Sequence, residues 1–245
     1  TNNNKGANFG SMLEQKDQKI ISDSDSKTTA ELHTSLRSWK LVDFISTPSG
    51  FRAAAFQEPK TGKIVFSFKG TDFDLSSIKG YIEAGKDIAN ADAQIALGMS
   101  LNLPAQFADA EKFVNSVLAS HPKADYTFTG HSLGGSLAQY MTYKTGHKST
   151  TFNGPGIGSL VESVTGEKIN YSAYENLSTN YANESDLIGN LWNKFRIGKN
   201  KVIQSSLNST SAEDVMAVAK MQAMATLMSA TGFIPSTAPK IIKEG

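Results

Sequence analysis

The sequence predicts an α/β domain with a mainly parallel central sheet, an antiparallel start and helices on both faces. Three observations carry this. A short apolar run, Ala124 to Thr129, leads into Gly130-His-Ser132-Leu-Gly134, and a helix-forming run with no proline continues to Gly146. Three β-like runs broken by Pro and Gly precede it. Between them, Pro104 to Ser120 repeats Phe107, Ala110, Phe113, Val114 and Val117 at helical spacing, the mark of an amphipathic helix. With 245 residues the chain is long enough for one such domain with a large core, and length alone does not demand two.

Residues 1–27 are polar and rich in Asn, Ser, Asp and Lys, and read as a tail before a domain spanning 28–245. Thr28 to Ser38 suits a short helix, with His33 at its surface. The β-like runs are Trp39 to Ser46, Phe51 to Phe56 and Lys63 to Phe68, turned by Pro48-Ser-Gly50 and Pro59-Lys-Thr-Gly62. Ile64 to Phe68 is apolar enough to be central. Asp72 to Leu103 is a long connection with Gly80, Gly85 and Gly98, expected to hold one or two short helices.

After the helix that follows Ser132, Lys148 to Asn153 reads as a strand and runs into Gly154-Pro-Gly156-Ile-Gly158. The resemblance to a dinucleotide-binding turn is superficial. Ser159 stands at the third glycine position, and Pro155 removes a phosphate-facing amide, so a plain βα turn is the better reading. Asn176 to Ala182 is another strand, followed by Asn183-Glu-Ser-Asp186. Leu187 to Ala212 lacks acidic residues but carries Lys194, Arg196, Lys199 and Lys201 beside Trp192 and Phe195. It reads as a solvated loop or edge hairpin, or as a contact for anionic lipid headgroups. Ser211 to Thr231 reads as a helix rich in methionine, packed on the sheet or touching acyl chains.

Composition excludes several classes. A net charge of +1 implies no bulk attraction to nucleic acid. The absence of cysteine removes disulfides, thiol nucleophiles and zinc ribbons, and suits a protein that crosses membranes unfolded without fixing its compartment. No apolar run approaches the ~20 residues of a membrane span. No signal peptide is visible and the chain starts at Thr1, as expected of a mature or trimmed product.

Gly-x-Ser-x-Gly is a weak signal alone. Between a strand and a helix it is a nucleophile elbow, with Ser132 at positive φ and its hydroxyl lifted from the backbone. A serine nucleophile needs donors for the oxyanion, a base and a group to orient that base. One donor is the N–H of Leu133, next after the nucleophile. The other is expected from Phe68-Lys-Gly70-Thr71-Asp72, where Thr71 offers an amide and a hydroxyl at the end of a central strand. The acid belongs after the elbow at the end of a later strand. Asp186 fits, with Asn183 bracing the turn. Asp125 precedes the elbow strand and so falls at the wrong end of the sheet. Asp214 sits at a helix start, where its charge is explained by the dipole.

Phe68-Lys-Gly-Thr71, Thr129-Gly-His-Ser132-Leu-Gly-Gly135 and Asn183-Glu-Ser-Asp186, in that order, resemble the class 3 lipases of the α/β-hydrolase fold, most closely the bacterial exported phospholipase A1 enzymes. The similarity runs from about Trp39 to Gly189 and departs at Lys69, where the family more often has arginine. The resemblance implies ester hydrolysis at a membrane or micelle interface and export from a bacterial cell. It assigns Ser132 as nucleophile, Asp186 as triad acid and Thr71 with Leu133 as the oxyanion hole, with a lid after Thr71. It implies no cofactor, no metal and no nucleic acid, and leaves any accessory or immunity protein unspecified.

The family's order is Ser, Asp, His, yet no histidine follows Asp186. His121 and His147 precede strands and fall at the far edge of the sheet, and His131 inside the elbow is expected to turn away from Oγ. Two explanations stay open. The chain is a fragment whose histidine lies beyond Gly245, or it is a hydrolase-like fold without a full triad, serving as a binding or regulatory module. A hydrolase of soluble esters is the third reading.

Overall fold

The computed structural model describes residues 38–70, 99, 102–183 and 192–203. Among these residues seven strands form one sheet in chain order: β1 (Lys40–Ser46), β2 (Arg52–Gln57), β3 (Ile64–Phe68), β4 (Tyr126–His131), β5 (Ser149–Phe152), β6 (Ser178–Asn183) and β7 (Lys199–Ile203). The first three are antiparallel, because tight turns at Pro48–Gly50 and Pro59–Gly62 reverse the chain. From β3 to β7 every pair is parallel. Parallel neighbours need crossovers. Here α1 (Leu103–Ser120) crosses from β3 to β4, α2 (Leu133–Thr145) from β4 to β5, and α3 (Gly158–Thr165) from β5 to β6. All five parallel strands therefore end at one edge of the sheet, and residues that follow those ends are gathered there.

The core follows from the period-2 pattern of the strands meeting the 3.6-residue pattern of the helices. Ile64, Phe66, Phe68 and Phe128 share one face with Ala53 and Ala55, and all are buried. The predicted apolar face of α1 packs there, with Phe113 edge-on to Phe66 at 6.0 Å. Leu137, Ala138 and Met141 of α2 complete the contact, and Phe107 of α1 stacks on Tyr140 of α2 at 3.9 Å. Each such large side chain contributes roughly 1.5–3 kcal/mol on burial. Ala54, Phe56 and Ser67 point to the opposite face and are buried too, so that face is also covered. The arrangement is that of the α/β-hydrolase fold.

Most expected elements fall within two residues of their observed bounds. The elbow strand is displaced, running from Tyr126 to His131, because His131 joins the ladder opposite Phe152. Where described, the run after Leu187 is loop up to Gly198 and strand after it. It holds a short 3₁₀ turn, Asn193–Phe195, and β7, a parallel strand beside β6 and the last of the sheet among the described residues. Local composition cannot specify this, since β7's direction is set by the crossover that returns the chain. The expected tail, the connection after Thr71 and the methionine-rich helix lie outside the described residues, apart from Met99 and the start of α1 at the connection's end. Among the described residues, no helix is long and apolar enough to cross a membrane.

Candidate active site

Ser132 stands between the last residue of β4 and the first of α2. Its backbone has φ 54° and ψ −131°, a region that residues with a Cβ seldom adopt. Surrounding contacts hold it there. Its N–H donates to the Phe152 carbonyl at 2.9 Å, and its own carbonyl accepts from Gly135 N–H at 2.8 Å. Glycine makes the turn sterically feasible. A Cβ on Gly130 would overlap the Gly134 carbonyl, and one on Gly134 would overlap the Phe68 carbonyl and lie 2.9 Å from Gly70 N. The elbow thus packs on the end of β3 as well as on its own strand. The first turn of α2 leaves backbone N–H groups and the positive end of its dipole beside Ser132.

The same packing brings the expected oxyanion loop to the nucleophile. A Cβ on Gly70 would lie 3.3 Å from Ser132 Cβ and 3.5 Å from Leu133 N. Gly70 immediately precedes Thr71, so the chain carrying the second expected donor begins beside the first. Thr71 and Asp186 themselves lie outside the described residues. Lys69, at the position that departs from the usual arginine, is buried at 7% exposure.

On the other side, β5 and β6 end together. Asn153 has φ 46°, donates its N–H to the Tyr181 carbonyl at 2.7 Å, and accepts Asn183 N–H on Oδ1 at 2.8 Å. Asn183, the first residue of the Asn183-Glu-Ser-Asp186 motif and the last of β6, is tied to β5 by that bond. The Asn183 backbone is itself held by a side chain of the neighbouring strand. The signal for Asn153 was legible as an asparagine at a strand end before Gly-Pro, a place where left-handed backbone is common.

Below this edge, a buried hydrogen-bond chain ties the helix of the elbow to β5 and β6. Thr142 Oγ1 donates to Ser149 Oγ at 2.7 Å, and Ser149 Oγ to Ser178 Oγ at 2.7 Å. Thr151 Oγ1 donates to Asn180 Oδ1 at 2.7 Å, and Asn180 Nδ2 to the Ile197 carbonyl at 3.0 Å. Gln139 closes the circuit, accepting Ile197 N–H at 3.1 Å and donating to the Pro155 carbonyl at 3.2 Å. The Arg196 side chain, 4% exposed, donates to the Gly154 carbonyl at 2.9 Å. Buried polar groups satisfied this way hold one arrangement, since each broken bond leaves a desolvated partner. The Gly154–Gly158 loop is therefore a structural βα turn that enters α3, as expected, with its carbonyls used internally.

His121 and His147 lie far from Ser132. His121 ends α1, with Nδ1 3.0 Å from the Val117 carbonyl. The His147 ring stacks at 3.8 Å on Tyr126, the first residue of β4, whose hydroxyl pKa is raised by burial. Six residues of strand separate Tyr126 from Ser132, about 20 Å at the usual rise. His131 ends β4, and strand alternation places it on the face opposite Phe128 and Gly130. Among the described residues no group of three His, Asp or Glu could hold a metal ion.

A family model described as "Phospholipase-like: Tle-like phospholipase domain" matches residues 19–238. No curated protein matches this chain. Among solved structures, Lip2 lipase from Yarrowia lipolytica is 14% identical with a TM-score of 0.46, over 69% of this chain and 66% of that one. A mutant form of MDLA from Penicillium cyclopium is 14% identical with a TM-score of 0.45, over 75% and 70%. A Rhizomucor miehei lipase propeptide complex is 16% identical with a TM-score of 0.42, over 72% and 66%. The chain spans about two thirds of the length of these structures.

Proposed function

This chain belongs to the Tle-like phospholipase domain family, and from that premise we propose that it hydrolyses a carboxylic ester of a phospholipid through an acyl-enzyme on Ser132. The observation that supports this most directly is the strained backbone of Ser132, held at φ 54° between β4 and α2 with Gly70 and Leu133 beside it. In the proposed reaction Ser132 Oγ attacks the ester carbonyl carbon and loses its proton to a base. The carbonyl oxygen gains the negative charge and is stabilised by the Leu133 N–H and by Thr71. Collapse of the tetrahedral intermediate expels the glycerol oxygen as an alcohol, and water then releases the fatty acid by the reverse sequence. Asp186 orients the base. By the family's order that base is a histidine after Asp186, the one part these 245 residues do not supply.

The finer parts of the proposal are cleavage at the sn-1 ester, action at a lipid interface, and export from a bacterial cell. Export draws support only from the cysteine-free composition and the resemblance. In the full-length protein, a fluorophosphonate should label wild type and not Ser132→Ala. Fatty acid should be released from the sn-1 position of phosphatidylglycerol, with a rate jump above the micelle concentration. Absence of labelling sinks the enzyme reading. Labelling without a rate jump favours soluble esters, and release from sn-2 removes the A1 assignment. Recovery of the native protein only inside cells would remove export.

A further inference from the structure

We infer that Ser136 and Gln139 are positioning residues that fix where the Leu133 N–H stands, an inference that rests on the proposed hydrolase reading. Both side chains are fully buried, at 0% exposure, between α2 and the exit of β5. The Pro155 carbonyl accepts from each of them, from Ser136 Oγ at 2.9 Å and from Gln139 Nε2 at 3.2 Å. That acceptor is itself anchored. The preceding Gly154 carbonyl accepts from Arg196 Nε at 2.9 Å, and Gln139 Oε1 accepts Ile197 N–H at 3.1 Å. The two side chains thus clamp the start of α2 to a fixed carbonyl.

The clamp bears on the reaction through what else touches that turn. On one side Gly134 meets the end of β3, where an added Cβ would overlap the Phe68 carbonyl. On the other Gly135 meets the exit of β5, where an added Cβ would lie 2.9 Å from Gly154 Cα. Backbone contact on both sides limits the approach of α2 without drawing it to either strand. Directional hydrogen bonds from Ser136 and Gln139 hold it to the β5 side. Ser136 is one turn from the nucleophile, and its N–H reaches the Ser132 carbonyl at 3.4 Å. Leu133 lies between them, and the first N–H groups of a helix have no acceptor within it. Toward β3, Leu133 N is 3.5 Å from the place of a Cβ on Gly70. A tilt of α2 therefore moves the Leu133 N–H relative to an oxyanion bound beside it, and misplacement by about 1 Å can cost ~10²-fold in rate. Neither clamp side chain is open to substrate, so the effect falls on turnover rather than affinity.

The test uses the full-length protein, a water-soluble nitrophenyl ester and its thiono counterpart, in which sulfur replaces the carbonyl oxygen. Sulfur is a weak hydrogen-bond acceptor, so the thiono ester is turned over with little help from the oxyanion donor. Rates are taken per site titrated by a fluorophosphonate, which removes any unfolded fraction. Ser136→Ala deletes one bond of the clamp. It should lower kcat for the oxygen ester roughly 5-fold or more and for the thiono ester less than about twofold, with KM unchanged for both. Adding Gln139→Met leaves the Pro155 carbonyl with neither donor and should deepen the oxygen-ester loss by a further factor of about 3 or more. If that pair does not fold, Ser136→Ala decides alone. An equal loss on both esters in Ser136→Ala overturns the proposal, as does a wild type with no preference for oxygen over sulfur. A double variant no worse than Ser136→Ala overturns the role of Gln139. If Ser132→Ala turns over the oxygen ester as fast as wild type, the hydrolase reading fails and takes this one with it. A Ser132-dependent activity whose oxygen-to-sulfur preference is indifferent to Ser136 refutes this inference alone.

Discussion

Gly134 and Phe68 meet backbone to backbone: a Cβ on Gly134 would fall on the Phe68 carbonyl. The elbow helix therefore begins in contact with the end of β3, from which the proposed oxyanion loop starts. Gly134→Ala must push the two elements apart. It should cost about 2–3 kcal/mol, as overpacking does, and lower Tm by roughly 5–10 °C. Gly166→Ala is the control. Its φ is 73° but nothing lies within 4 Å of an added Cβ, so it should cost only about 1 kcal/mol and leave Ser132 labelling intact. Equal losses in the two variants would refute the packing argument.

Ser132 carries strain that a glycine would not. Ser132→Gly should raise stability by about 1 kcal/mol in denaturant unfolding while abolishing phosphonate labelling. Ser132→Ala keeps the Cβ and should gain nothing. A destabilised Ser132→Gly would mean that the serine hydroxyl supports the fold.

Tyr171 links stability to alkaline pH. Burial, helped by the Glu162 charge, pushes its hydroxyl up from 10.0 to about 12. Burial and then the hydrogen bond to Glu111 raise that of Tyr140 as well. Both folded values exceed the unfolded one. Their contribution is fully present below pH ~10 and is lost as pH rises through the folded values. Urea midpoints should fall between about pH 10 and 12, and Tyr171→Phe with Tyr140→Phe should flatten that fall. An unchanged slope in the double variant would assign the alkaline loss elsewhere.

The basic strand β7 offers a test of lipid contact. Lys199 is exposed, Lys201 lies 5.3 Å from the Tyr181 ring centre, and Val202 is 62% exposed near the end of β7. Trp192 is buried at 8%, which removes it from the interfacial aromatics considered from sequence. Lys199→Glu with Lys201→Glu should weaken binding to phosphatidylglycerol vesicles by roughly 10-fold or more, at about 1 kcal/mol per cation. Salt should weaken wild type more than the variant. No difference would exclude β7 as the contact.

Much of the fold was legible because its signals are local. The punctuation by Pro48-Ser-Gly50 and Pro59-Lys-Thr-Gly62 announces the hairpins, and the spacing of Phe107, Phe113 and Val117 announces the face that α1 buries. The parallel direction of β7 was not legible, since it depends on the path of a crossover. The bond from Asn153 to Asn183 spans thirty positions along the chain, and no local pattern pairs them.

By itself the sequence determined that a serine would stand in a strand–turn–helix elbow, because Gly130, Ser132 and Gly134 specify that turn through sterics over five residues. It also determined that these 245 residues contain no histidine after Asp186. Only the tertiary structure decided that Gly70 would lie against Leu133, and that β5 would hold both Ser132 and Asn183. Those distances are set by parallel strands ending at one edge, and that edge exists only once the crossovers have closed the sheet.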